Sequence, residues 1–85
     1  MPLAIEITST PRKYLEHLDK PTRERIHAKL REIAADPLSA RHSKPLIGSH
    51  KRTARVGGYR ILFEIDTTTL TVSDIGPRGQ IYRKL

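Results

Sequence analysis

Between His50 and Ile65 the chain alternates polar and apolar residues on both sides of a Gly57-Gly58 pair. Few folds accommodate that pattern. Period-two alternation puts successive side chains on opposite faces of an extended strand, and paired glycines between two such runs supply the backbone freedom of a two-residue hairpin turn. The expected unit is a strand from His50 to Val56, a tight turn, and a second strand from Tyr59 to Ile65. A two-residue loop also sets the register: Val56 opposite Tyr59, Arg55 opposite Arg60, Ala54 opposite Ile61, Thr53 opposite Leu62 and Lys51 opposite Glu64.

This register sorts the hairpin into two unlike faces. Ala54, Val56, Tyr59, Ile61, Phe63 and Ile65 form an apolar face suited to the core, while Lys51, Thr53, Arg55, Arg60, Leu62 and Glu64 form the other. Like charges directly opposite one another destabilise a ladder, so the Arg55–Arg60 pair is a local conflict that a negatively charged ligand would relieve. The plainer alternative is that both guanidinium groups bend away into water.

The rest of the chain supplies a cover for the apolar face. Leu3, Ile5 and Ile7 alternate with polar or small residues as in a first strand. Thr10 is placed to cap a helix that begins at Pro11, carries Tyr14, Leu15 and Leu18 on one stripe, and ends near Asp19 or Lys20. Pro21 opens a second helix with Ile26, Leu30, Ile33 and Ala34 at helical spacing, closed by Asp36 and Pro37. Residues 37–49, with two prolines, a glycine and three serines, are expected to be a loop on which Arg41 and Lys44 ride. After Asp66-Thr67-Thr68-Thr69, a last strand from about Leu70 to Gly76 leads into a short tail. The expected fold is one α+β domain over residues 1–85: an N-terminal strand, a helical hairpin, then a three-stranded antiparallel meander (β-α-α-β-β-β) with the helices on one face of the sheet.

Charge then bears on the exposed face. The net charge is +7, with +1 over residues 1–40 and +6 over residues 41–85, so the hairpin half holds most of the field. Such a field attracts polyanions, above all a phosphate backbone. The chain has no cysteine, which excludes disulfides, thiolate nucleophiles and cysteine-bound zinc. It has neither an apolar run of about 18 residues nor a signal-peptide start, so no membrane association and a cytoplasmic location are expected.

Three segments together resemble the RelE/ParE superfamily of toxins from type II toxin-antitoxin systems: Ser43-Lys44-Pro45-Leu46-Ile47-Gly48-Ser49, then Arg55-Val56-Gly57-Gly58-Tyr59-Arg60-Ile61-Leu62-Phe63-Glu64-Ile65, then Ile75-Gly76-Pro77-Arg78 with Tyr82-Arg83. The fold the resemblance implies, two helices on an antiparallel sheet, is the one expected from periodicity. RelE-like members cleave messenger RNA in the ribosomal A site, whereas ParE-like members inhibit DNA gyrase without nuclease residues. Arg78 and Tyr82 in a Gly-x-Arg-x-x-x-Tyr frame, Arg60 after Gly58-Tyr59, and Lys51 are similar to the RelE branch; Thr53, where that branch often has a second lysine, and Pro77 depart from it. The resemblance implies a RelB-like antitoxin partner, mRNA and the ribosome as targets, and contact with operator DNA only through the antitoxin complex. A ParE-like gyrase inhibitor and a non-catalytic basic nucleic-acid-binding module are the alternatives.

For an mRNA endoribonuclease the expected catalytic set is Lys51, Arg60, Arg78 and Tyr82, with Lys44, Arg55 and Arg83 holding flanking RNA backbone. Metal-independent cleavage uses the substrate's 2′-hydroxyl as nucleophile, and no cofactor or metal is expected. Arg60 would bind the scissile phosphate, Arg78 would add charge or the leaving-group proton, and Tyr82 would stack on a base. Lys51 is either the general base, with nearby Arg52, Arg55 and Arg60 discouraging its charged form, or a phosphate clamp held charged by Glu64. His17 and His27 on helices, His42 in a loop and His50 at a strand's start are read as structural or surface residues.

Overall fold

The computed structural model describes residues 2–77. Strand β1 (Ala4–Ile7) is followed by helix α1 (Ser9–Glu16) and helix α2 (Lys20–Ala35). Then come β2 (Lys44–Pro45), β3 (Arg52–Val56), β4 (Tyr59–Ile65) and β5 (Thr69–Pro77). The expected α+β order is present, and β3, β4 and β5 form the antiparallel meander. Two features extend it. The five strands lie in the order β1-β5-β4-β3-β2, with β1 parallel to β5. Residues 37–49 are also not all loop, because Lys44 and Pro45 pair with Thr53 and Arg52.

Local hydrogen bonding sets where the elements begin. Thr8, not Thr10, precedes α1, and its hydroxyl donates to the Val72 carbonyl (3.0 Å), tying the helix start to the sheet. Helix α1 ends at Glu16, earlier than expected, because Asp19 caps the next helix: its carboxylate accepts the Thr22 N–H at 3.2 Å, and Pro21 sits in a first turn that needs no donor. Strand β3 starts at Arg52 rather than His50. Ser49 Oγ accepts the Lys51 N–H (3.1 Å), and the Leu46 N–H reaches the Lys51 carbonyl (3.0 Å), which folds residues 46–51 into a turn.

The Gly57-Gly58 hairpin has the expected register from Val56–Tyr59 to Thr53–Leu62. Gly57 has φ of +57°, and the absence of a positive φ at Gly58 fits the primed hairpin turn that needs glycine only at its first central position. Ala54, Ile61 and Phe63 pack with Leu15, Ile26, Leu30, Ile33 and Ala34 from the helices, and with Leu70, Val72 and Ile75 from β5. Tyr59 meets Tyr14 edge to face, with ring centroids 6.3 Å apart. Burial, and secondarily Tyr59, push the Tyr14 phenol above its ordinary value.

The register shifts once. Leu62 faces Asp74 and Phe63 faces Val72, so Ser73 is an extra residue in β5. Such a bulge twists and bends the strand that carries it. Ser73 Oγ donates to the Leu62 carbonyl at 3.2 Å, giving the bulge its own hydrogen bond.

At the β4–β5 turn, Asp66 Oδ1 accepts the Thr68 N–H (2.8 Å) and the Thr69 N–H (2.7 Å). These bonds hold its carboxyl below the ordinary 3.8, and the bonds from Thr22 do the same for Asp19. A carboxyl that binds protons more weakly when folded stabilises the fold fully above its unfolded value, and that contribution is lost as pH falls through the lower folded value. Thermal unfolding should therefore show Asp66→Ala melting below wild type at neutral pH, with the gap narrowing as pH is taken below 3.8. An equal gap at every pH would contradict these bonds.

Candidate nucleic-acid interface

The face of the meander turned from the helices carries its charges at two ends. Nearer the hairpin turn, Arg55 and Arg60 are direct cross-strand neighbours. Arg55 is exposed and bends back, its Nε donating to the Gly57 carbonyl at 3.3 Å. Arg60 is half-buried, and Asp74, a buried carboxylate, is its diagonal neighbour on β5. At the other end, Lys51 Nζ donates to Ser73 Oγ at 3.1 Å and lies 3.6 Å from Glu64 Oε1. Between the ends, Thr53 and Leu62 are buried, so this face is not the uniformly open surface expected from alternation.

The expected Lys51–Glu64 contact is therefore present, although Lys51 lies just outside the strand. Arg52, expected to crowd Lys51, points elsewhere: its Nε donates to Ser43 Oγ (3.0 Å) and its Nη2 to the Ser43 carbonyl (3.3 Å). The physical reason is alternation itself, since Arg52 pairs with Phe63 and shares its side of the sheet. Arg78, Tyr82 and Arg83 lie outside the described residues.

Strand β2 is only two residues long and pairs with β3 no further than Thr53. Beside Ala54 and Arg55 a groove of about 190 Å³ opens, lined on its charged side by Lys29, Arg41, His42, Lys44, Arg55 and Arg60. Lys44, Arg55 and Arg60, assigned from sequence to RNA contact, thus meet at one place, whereas Lys51 belongs to a separate cluster. Four positions from Lys51 to Arg55 correspond to about 13 Å of extended backbone. The groove can take an anion the size of a phosphate group, with cations converging from α2, the 40–43 loop, β2, β3 and β4.

The loop that supplies Arg41 and His42 is built around Ser39. The Ser39 carbonyl accepts the His42 and Ser43 N–H groups (3.2 and 3.3 Å), and its hydroxyl accepts the Arg41 N–H (3.2 Å). Arg52 then pins Ser43 from the sheet side. Sequence reasoning missed the contributions of Lys29 and His42 because they join the groove only when α2 and this loop fold back beside β3. Ser73 did leave a trace: the buried hydrophobic side chains of β5 run Leu70, Val72, Ile75, a skip of three in a period of two.

Comparison with known proteins places this geometry in context. A family model described as "ParE toxin of type II toxin-antitoxin system, parDE" matches residues 5–82. No curated protein matches the chain in sequence. Among solved structures, the toxin-antitoxin complex RelBE2 of Mycobacterium tuberculosis aligns with a TM-score of 0.80 and 26% identity, over 94% of this chain and 95% of that one. A mutant of the E. coli toxin RelE in the free state aligns with a TM-score of 0.79 and 20% identity, over 99% and 93%. The archaeal RelE-RelB complex from Pyrococcus horikoshii gives 0.80 and 22%, over 94% and 99%. The last two likenesses concern the fold alone.

Proposed function

Because the chain belongs to the ParE toxin family of type II toxin-antitoxin systems, we propose that it is the toxin of such a pair and acts as a metal-independent, ribosome-dependent mRNA endoribonuclease that blocks translation. The observation that carries this reading is the convergence of Lys44, Arg55 and Arg60 on one groove sized for a phosphate. Arg60 holds the scissile phosphate, where guanidinium hydrogen bonds strengthen as charge builds on the phosphorane. Arg55 and Lys44 hold flanking backbone, with Arg83 assigned the same part from sequence. Arg78 adds charge stabilisation and Tyr82 stacks on a nucleotide. The known RelB-RelE complexes of the same fold support an antitoxin partner for this chain.

Lys51 fits a phosphate clamp better than a base. Its ammonium already donates to Ser73 and faces Glu64, the arrangement of a charged group. Lys51→Arg should then keep activity within about threefold and leave the pH profile unchanged. Lys51→Ala should weaken RNA binding about tenfold, the worth of one charge-assisted hydrogen bond of roughly 1.5 kcal/mol. A Lys51→Arg variant as inactive as Lys51→Ala would restore the base assignment.

The matching family model is named for ParE, and this favours one second reading, inhibition of DNA gyrase. Purified protein should be assayed in parallel for cleavage of mRNA on programmed ribosomes and for gyrase supercoiling. The endoribonuclease reading expects cleavage with supercoiling untouched; inhibited supercoiling with intact mRNA overturns it. On single-stranded RNA, binding should weaken with salt by about 0.7 log units per log unit of salt for each phosphate contacted.

A further inference from the structure

Metal-free RNA cleavage at neutral pH needs a group that accepts the 2′-hydroxyl proton. Arginine is too strongly basic for that part, and Lys51 is engaged with Ser73 and Glu64 outside the groove. We propose that His42, oriented by Glu32, is the general base of this site. The proposal rests on the endoribonuclease reading above and names the proton acceptor that reading leaves open.

Placement comes first. His42 lines the same groove of about 190 Å³ as Arg55 and Arg60, so a phosphate held there lies beside the imidazole. The ring is 19% exposed, and its Nδ1 faces Glu32 Oε2 at 3.6 Å. That nitrogen is shut off from solvent and makes no hydrogen bond. The gap is slightly longer than a hydrogen bond, as is common in catalytic pairs before substrate tightens them. A carboxylate facing one ring nitrogen favours the tautomer with the proton on that side, which leaves a lone pair on Nε2.

The loop and the surrounding charges suit the same task. The Ser39 turn and the Arg52–Ser43 bonds fix the backbone on both sides of His42, so the ring is positioned before substrate arrives. Among the described residues, the charged groups around the groove are Lys29 and Glu32 from α2, Arg41 from the loop, Lys44 from β2, Arg55 from β3 and Arg60 from β4. The cations are placed to hold a phosphate beside the imidazole, and Glu32 faces the ring on which positive charge forms when the proton is transferred. His17, His27 and His50 do not line this groove.

The step balances without a redox partner. Nε2 takes the 2′-hydroxyl proton, the 2′-oxygen bonds to phosphorus, and the bond from phosphorus to the 5′-oxygen breaks. The leaving oxygen takes a proton from solvent and the imidazolium returns its own. The products are a 2′,3′-cyclic phosphate and a 5′-hydroxyl end.

Single-turnover cleavage of ribosome-bound mRNA from pH 5 to 9 tests this with wild type, His42→Ala, Glu32→Gln and, as a control on the outer side of α2, His27→Gln. His42→Ala should lower the rate by roughly 10²–10⁴-fold with little change in KM, and added imidazole should restore part of the loss. Glu32→Gln should move the acidic limb of the profile to lower pH, while His27→Gln matches wild type. A His42→Ala enzyme with the wild-type rate and profile overturns the proposal, and so does a folded variant that imidazole does not rescue. If His42→Ala does not fold, an acidic limb unmoved in Glu32→Gln overturns it. Wild-type protein that cleaves no RNA defeats the endoribonuclease reading itself, an outcome distinct from cleavage that ignores His42.

Discussion

Arg60→Ala should lower the rate of mRNA cleavage by roughly 10²–10³-fold, the loss seen when one donor to a developing oxyanion is removed. The size of the effect follows from placement. Arg60 is half-buried on the central strand of the meander and lines the groove, where a guanidinium is less screened than on open surface. Arg55, its direct partner, is exposed and already turned to the Gly57 carbonyl, so Arg55→Ala should act mainly through binding and salt dependence. Arg60→Lys should recover only part of the rate, because an ammonium carries the charge without the planar fork. Single-turnover kinetics on programmed ribosomes separate these effects. Wild-type cleavage by Arg60→Ala would remove Arg60 from the chemistry.

The contrast between the two arginines shows what was readable in advance. Their opposition needs only a period of two and a glycine pair, both local properties, and so the hairpin, its register and the apolar face from Ala54 to Ile65 were legible. The capping of α2 was partly legible, since Pro21 marked its start. What local pattern does not encode is which distant segments become neighbours. The parallel pairing of β1 with β5 joins residues about 65 positions apart. The burial of Thr53 and Leu62, on the face that alternation assigned to solvent, is likewise a tertiary outcome. His42 makes the point for the site: in sequence it is one polar residue in a loop, and only the return of that loop beside β3, facing Glu32 on α2, gives it a groove and a carboxylate.

Stability should be most sensitive at Phe63. Its side chain is fully buried, beside the register shift between Leu62 and Phe63. Truncating a fully buried phenylalanine to alanine removes about 3–5 kcal/mol, from lost transfer energy and the cavity left behind. An 85-residue domain has only roughly 4–13 kcal/mol in total. Phe63→Ala should therefore lower the urea midpoint by about 3 M, if the urea dependence is near 1 kcal/mol per molar. Phe63→Leu, which keeps most of the volume, should lose under about 1.5 kcal/mol. A partner that binds only the folded toxin, present at about a thousand times its Kd, adds roughly 4 kcal/mol and should offset most of the loss in Phe63→Ala. Urea unfolding with and without the co-expressed antitoxin measures both terms. An unchanged midpoint in Phe63→Ala would mean that this ring does not hold the helices to the sheet, whereas a loss that the antitoxin offsets ties the stability of the core to the partnership proposed for the chain.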